Sequence, residues 1–285
     1  MGCLYVVATP IGNLNDFSKR AVDVLNDCDI ILAEDTRCTI KLLNHYNIKT
    51  KMISYHKFNE KQRINENLKL IDEDKKIALV SDAGTPCISD PGYILISELR
   101  SKNIDIFAIP GCSAVISALS VGGLDTSSFS FLGFVPTDNK KRKLMFEEIK
   151  YSNIKTKVVY ETANRLLKLL YDIEKKISNC MICVCSEITK IHESYKYGKT
   201  SDVINFFENN KGTIKGEYVV LISNEPFLKS DNNISVEASI LNIIIKEKCT
   251  IKEAVNILNK NSDNISKKQI YNASLNLKEI IKHIK

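Results

Sequence analysis

Three short loops hold the residues of this chain best suited to cradle a small ligand: Thr9-Pro-Ile-Gly-Asn13, Asp82-Ala-Gly-Thr-Pro86 and Pro110-Gly-Cys-Ser113. Glycine lets backbone approach a ligand closely and accepts positive φ. A helix beginning straight after such a loop offers unpaired N–H groups at the positive end of its dipole. That combination suits a ligand bearing adenosine, ribose or phosphate. Tight strand-to-helix turns use the same residues for geometry alone, so one loop decides nothing; three in one half of a chain weigh more. Other chemistries lack their residues. There is no G-x-x-x-x-G-K-[ST] loop, no G-x-G-x-x-G after the first apolar run and no H-E-x-x-H pair. None of the four His joins a Ser and an Asp in an evident hydrolase set. Cys180, Cys183 and Cys185 share spacing with some metal ligands. They sit in an apolar run without a Gly knuckle or a second Cys pair, and read as buried thiols with no metal.

The elements that must position these loops alternate. Apolar runs at Leu4–Ala8, Ile30–Ala33, Ile77–Val80 and Ile104–Ile109 read as strands. Amphipathic stretches at Ser18–Leu25, Thr36–Tyr46, Glu60–Asp72, Tyr93–Arg100 and Ser113–Val121 read as helices between them. Alternation of this kind predicts an α/β fold with a parallel-rich sheet covered on both faces. Ligands bind such sheets at the loops leaving the strands' C-terminal ends. Val121–Ser128 reads as a linker. A second set follows, with strands at Phe129–Phe134, Lys157–Glu161, Met181–Ser186 and Tyr218–Ser223 and helices at Lys140–Lys150, Asn164–Ile177 and Ser201–Asn209. Three small helices, Val236–Lys246, Ile251–Asn259 and Lys267–Leu277, end the chain. The expected division is therefore an N-terminal α/β domain over 1–121, a second over 122–230 and a helical tail over 231–285.

Bulk properties agree with a folded enzyme-sized chain. Its 285 residues are 44% hydrophobic and 26% charged, far from a disordered composition. The net charge of +6 permits an anionic partner without requiring one. Nine cysteines, an odd number, with no secretion signal, suggest free thiols in a reducing cytoplasm. No apolar run is long enough for a membrane span, so no membrane partner is expected.

Several motifs occur in a telling order: Leu4-Tyr-Val-Val-Ala-Thr-Pro-Ile-Gly-Asn-Leu14, Ala33-Glu-Asp-Thr-Arg37, His56 with Asn59-Glu60, Leu79-Val-Ser-Asp-Ala-Gly-Thr-Pro86, Ser89-Asp-Pro-Gly-Tyr93, Pro110-Gly, Ser186-Glu-Ile-Thr-Lys190 and Lys215-Gly-Glu217. Together, over about residues 3–223, they resemble the ribosomal RNA small subunit methyltransferase I family of the tetrapyrrole methylase superfamily. The resemblance implies a two-domain tetrapyrrole-methylase-like fold, that of class III S-adenosylmethionine (SAM) methyltransferases, with a small helical C-terminal tail. It implies SAM as methyl donor, held between the two α/β domains. It implies transfer to the ribose 2′-hydroxyl of a decoding-centre cytidine in 16S rRNA of the small ribosomal subunit, by a homodimer. Within the superfamily the alternatives are methylation of a tetrapyrrole such as a cobalamin precursor, or a non-catalytic ribosome assembly factor that keeps the fold.

Carried over by motif, the cofactor residues are Pro10, Gly12, Asp82, Ala83, Gly84, Ser113, Ala114 and Gly216. Methyl transfer to a ribose hydroxyl needs in-line alignment and a group to take or stabilise the proton's loss. Glu187 and Lys190 share one short motif and are the candidate catalytic residues, with Lys215 and Glu217 as another such pair. Arg37, His56 and Arg165 are the candidate RNA contacts, and the lysines of the tail a further one. Two departures stand out: Asn164 replaces the family's usual His in Tyr160-Glu-Thr-Ala-Asn-Arg165, and Ser186 replaces an Arg.

Overall fold

The computed structural model describes residues 2–177, 180–223, 235–261 and 266–284. They fall in two compact units, Met1–Pro226 and Phe227–Lys285.

The first unit holds two five-stranded sheets. Strands β1 (Cys3–Val7), β2 (Ile30–Ala33), β3 (Lys51–Ser54), β4 (Lys76–Val80) and β5 (Ile106–Ile109) form the first, in the order β3-β2-β4-β1-β5. Every pairing is parallel. Helices α1 (Lys19–Asp27), α2 (Thr36–His45), α3 (Glu60–Asp72), α4 (Tyr93–Ser101) and α5 (Ala114–Val121) alternate with the strands. Successive strand residues point to opposite faces, and both faces are covered. Val7, Ile31 and Ala78 pack with Ala21, Leu25 and Leu43 on one side. Leu4, Leu32 and Ile77 pack with Ile71, Leu95 and Leu99 on the other. Helix starts follow local capping chemistry. Ser18 Oγ accepts from the Ala21 amide at 3.1 Å, and Asp35 Oδ1 from the Arg37 amide at 2.8 Å.

The second sheet is built from β6 (Phe129–Phe134), β7 (Thr156–Thr162), β8 (Met181–Ser186), β9 (Ser194–Lys199) and β10 (Glu217–Ser223), ordered β6-β7-β10-β8-β9. Only β6–β7 is parallel. Helices α6 (Asn139–Tyr151), α7 (Ala163–Lys176) and α8 (Thr200–Asn209) cover one face. The other face receives α5: Val115, Ala118 and Leu119 pack on Val158, Cys183, Cys185, Val219 and Leu221. A Cβ on Gly122 would lie 2.2 Å from Leu221 Cδ1, so the turn after α5 reaches this sheet only as glycine. Cys180, Cys183 and Cys185 are buried core residues.

Strands β3 and β9, each at one edge of its sheet, escape the sequence reading. Lys51-Met-Ile-Ser54 is too short to show periodicity, and Ser194-Tyr-Lys-Tyr-Gly-Lys199 is too polar. The second unit is a helical cluster of α9 (Val236–Glu247), α10 (Ile251–Asn261) and α11 (Lys267–Ile284) around Ile240, Ala254, Leu258, Ile270 and Leu277. Helix α11 runs seven residues beyond the expected Leu277 end. Thr250 with Glu253, and Ser266 with Gln269, form reciprocal capping boxes at the starts of α10 and α11. Among the described residues no helix is long and apolar enough to cross a membrane.

Candidate active site

A cleft of about 490 Å³ lies between the two sheets of the first unit. Its first wall comes from loops at the C-terminal ends of parallel strands: Ile11 after β1, Glu34 after β2, Asp82–Thr85 and Ile88–Asp90 after β4, and Ser113–Ala114 after β5. Its second wall comes from Phe134, Tyr160, Cys185, Glu187, Ile188, Lys190 and Gly216–Val219.

The first wall is tied together by backbone. Thr9 and Gly84 exchange both amide–carbonyl bonds, at 2.8 and 3.0 Å. Gly84 sits at φ +82°, where a side chain would be strained. Thr85 Oγ1 donates to the Cys112 carbonyl at 3.2 Å, joining the second loop to the third. Ser113 caps α5 through the Ile116 amide at 3.4 Å.

Opposite, Glu187 adopts φ +51° and Thr189 φ +69°. This unusual loop brings Lys190 Nζ to 2.9 Å from Glu187 Oε1. Two glycines make room for the pair. A Cβ on Gly12 would be 2.6 Å from Lys190 Cγ, and one on Gly216 would be 3.0 Å from Glu187 Oε1. Lys190 thus leans across to the first-sheet loop, and the pair forms a clasp between Gly12 and Gly216.

The cleft is acidic. Glu34, Asp82, Asp90, Glu187 and Glu217 line it, and Lys190 is its one cation among the described residues. Burial, then the Glu34 carboxylate, pushes Asp90 up to about 7, although a Ser81 hydrogen bond pulls the other way. Burial also raises Asp82, against the Asp35 amide, which donates to Asp82 Oδ1 at 3.0 Å. Glu34 is raised by burial and by Asp82. Tyr160, packed edge-on against Phe131 and Phe134, is pushed up to about 12 by burial, with Asp90 and Glu217 adding to it.

Of the residues expected at the site, Asp82, Ala83, Gly84, Ser113, Ala114, Gly216, Glu187 and Lys190 line this one cleft. Pro10 and Gly12 do not; Gly12 instead gives space to Lys190. Arg37, His56 and Arg165 lie outside the lining as well. Arg37 is exposed and grips Asp35 with Nε at 3.0 Å and Nη2 at 2.6 Å, which holds the Asp35 carboxyl down at about 2. His56 Nδ1 accepts from the Phe58 amide at 3.3 Å. Arg165 turns inward, to the buried Glu161 carboxylate and, at 2.9 Å, to the Val135 carbonyl. Asn164 is exposed at the start of α7, and Ser186 stands next to the cleft-lining Glu187. Sequence reasoning missed Glu34, Asp90 and Tyr160, though each stands inside a motif it singled out; Glu217, weighed with Lys215 as a second pair, does line the cleft. What it lacked was the sheet order, which puts these distant motifs on one cleft.

The contents of the cleft suit a SAM-like ligand. Carboxylates match ribose hydroxyls, an ammonium and a sulfonium charge. The positive φ of Gly84 and the start of α5 let backbone come close. Among the described residues no three His, Cys, Asp or Glu side chains are arranged to hold a metal ion.

Comparison with known proteins agrees. The model of the Tetrapyrrole (Corrin/Porphyrin) Methylases family matches residues 3–203. Ribosomal RNA small subunit methyltransferase I of Thermotoga maritima is 44% identical, over 78% of this chain and 99% of its own length. The Rickettsia prowazekii protein of the same name is 38% identical over 94% of each chain. Two solved structures share the fold. A putative diphthine synthase from Entamoeba histolytica has a TM-score of 0.58 at 18% identity, covering 78% of this chain and 92% of its own. Uroporphyrin-III-C-methyltransferase from Thermus thermophilus has a TM-score of 0.55 at 15% identity, covering 81% and 98%. SAM is the methyl donor of this family of enzymes. The chain belongs to the tetrapyrrole methylase family and, within it, to the ribosomal RNA small subunit methyltransferases I.

Proposed function

We propose that this protein methylates 16S rRNA in the small ribosomal subunit, at the ribose 2′-hydroxyl of a cytidine in the decoding centre. It works in the cytoplasm as a homodimer, with SAM bound in the acid-lined cleft. The observation that carries the reading is the Lys190–Glu187 clasp at 2.9 Å in an otherwise anionic wall. Relatives with this RNA in their names, one matching 94% of the chain, supply the substrate class.

When bound, SAM supplies an electrophilic methyl group. The chain's residues do the rest. Asp82 accepts hydrogen bonds from the cofactor's ribose or amino group. Ala83, Gly84, Ser113, Ala114 and Gly216 offer backbone at close range, while Pro10 and Gly12 shape the first loop. Glu187 takes the proton of the ribose hydroxyl, and the Lys190 ammonium stabilises the developing alkoxide. Cleft walls from two sheets exclude water and fix the approach. Arg37 and His56 belong to the RNA-facing side, whereas Arg165 is held inward by Glu161 and braces the start of α7.

The test is to incubate the protein with methyl-labelled SAM and small subunits lacking the modification, then identify the labelled nucleoside by mass spectrometry. A 2′-O-methylated cytidine from the decoding region is expected. Label on a base, or on no RNA, rules the assignment out. In the same assay Lys190→Ala and Glu187→Gln should each lower the single-turnover rate by about 10²-fold or more. Near wild-type rates in both would remove the pair from the chemistry.

A further inference from the structure

Phe58 is 90% exposed, an unusual place for a large apolar side chain whose burial is favourable. Its loop is not loose. The His56 amide donates to Asn59 Oδ1 at 2.8 Å, the Phe58 amide to His56 Nδ1 at 3.3 Å, and Asn59 Nδ2 to the Ser54 carbonyl at 3.2 Å. The Glu60 amide closes the turn onto the His56 carbonyl at 2.9 Å. Backbone and side chains therefore hold the ring out in water. His56 stands edge-on beside it, ring centroids 6.0 Å apart. Tyr93, 73% exposed, begins α4 next to Gly92, whose amide donates to Glu60 Oε2 at 3.3 Å.

Two links tie this aromatic group to the cleft, whose lining it does not itself join. His56 acts electrostatically on Glu34, which lines the cleft. Gly92 lies two residues beyond Asp90, which lines it too. Lys57 and Lys61 flank Phe58, are exposed, and form no ion pair among the described residues. Aromatic rings interleaved with free cations fit single-stranded nucleic acid, because every base has a stacking face and every link a phosphate. A second copy of the chain fits less well. A two-fold contact centred on Phe58 would set Lys57 and Lys61 against their own counterparts.

We propose that Phe58, with His56 and Tyr93, is a shelf on which an unpaired RNA base stacks next to the methylated nucleotide. This rests on the rRNA reading above. The occupant is a base neighbouring the target, its phosphates near Lys57 and Lys61.

The chain contains no tryptophan, so Phe58→Trp places a single indole reporter on the shelf. Small ribosomal subunits and a single-stranded oligonucleotide should both quench its emission, and its affinity for subunits should match wild type. Phe58→Ala should weaken subunit binding by about five- to a hundred-fold, the range carried by base–aromatic stacking. SAM affinity by calorimetry and sedimentation behaviour should not change. Unchanged subunit affinity in Phe58→Ala, or an indole insensitive to RNA, overturns the shelf. So does a Phe58→Ala variant that changes oligomeric state, which would assign the ring to a contact between copies. If wild type methylates subunits while Phe58→Ala binds them equally well, only the shelf falls. If wild type transfers no methyl to RNA, the reading beneath it falls as well.

Discussion

Half-buried among Glu34, Asp82 and Glu217, the Asp90 carboxyl is held at about 7, well above the ~3.9 of a free aspartate. For an acid this sign means that the folded state binds the proton more tightly than the unfolded chain. The stability it contributes is complete below about pH 4 and is lost as pH rises through about 7. Asp90→Asn should therefore raise the Tm at pH 8, and the gain should shrink steadily toward pH 4. Thermal melts of both proteins across that range check it; a difference independent of pH would mean that Asp90 is not held protonated by its neighbours. The residue scale was also where the sequence was least legible. Asp82, Glu187 and Lys190 stood out as chemistry-bearing types, but the partners that set Asp90's charge come from strands far apart in the chain. Arg165 shows the converse. Its type suited phosphate, yet a buried carboxylate, Glu161, claimed it.

At the scale of elements much more was readable. Strands β2 and β8 and helix α3 occupy the spans that hydrophobic patterning predicts. The reason is physical: strands buried on both faces must be apolar throughout, and surface helices must be apolar on one stripe. The edge strands β5 and β6 were legible because they are apolar, whereas β3 has only four residues and β9 is largely polar, so neither offered an apolar run. Order within the sheets was also hidden, since pairing is a long-range choice. One loop-to-helix junction makes a direct demand on sequence. Gly92 caps α4 at φ +132°, and a Cβ there would lie 2.6 Å from Cys87 Sγ and 2.7 Å from Leu79 Cδ2. Gly92→Ala should cost about 1–3 kcal/mol in urea unfolding, from backbone strain and a displaced core side chain together. A cost below about 0.5 kcal/mol, within the range of ordinary surface substitutions, would show that the junction relaxes freely.

Over the whole molecule, charge is unevenly shared. Residues 235–285 hold nine Lys against five Asp or Glu, four of the chain's six net positive charges. The cleft, by contrast, is lined by five carboxylates and one ammonium. Affinity for a polyanion must then come from outside the cleft, and the helical unit is where basic residues concentrate. Deleting 235–285 should weaken binding to small subunits and make log K less steep against log salt. Filter-retention titrations between 50 and 200 mM salt would measure the slope, which should fall by about 0.7–0.9 for each phosphate that the tail neutralises. An unchanged slope would leave the tail with no part in holding RNA.

The clasp between Gly12 and Gly216 bears on how the protein is made. Its first glycine follows the first strand, its second precedes the last strand of the unit, and Lys190 and Glu187 lie late in the chain between them. Chains emerge from the ribosome N-terminus first, and the first sheet can pair as soon as β5 is out. The clasp has to wait until Gly216 has been synthesised. During that interval the nascent chain presents a finished parallel sheet with an open acidic rim, and α5 without the sheet on which it rests. Closure of the ligand site thus comes late in the folding of the first unit, and a truncated product ending before β10 would carry nearly every motif of the family yet lack the central strand of the sheet that supports the cleft's second wall.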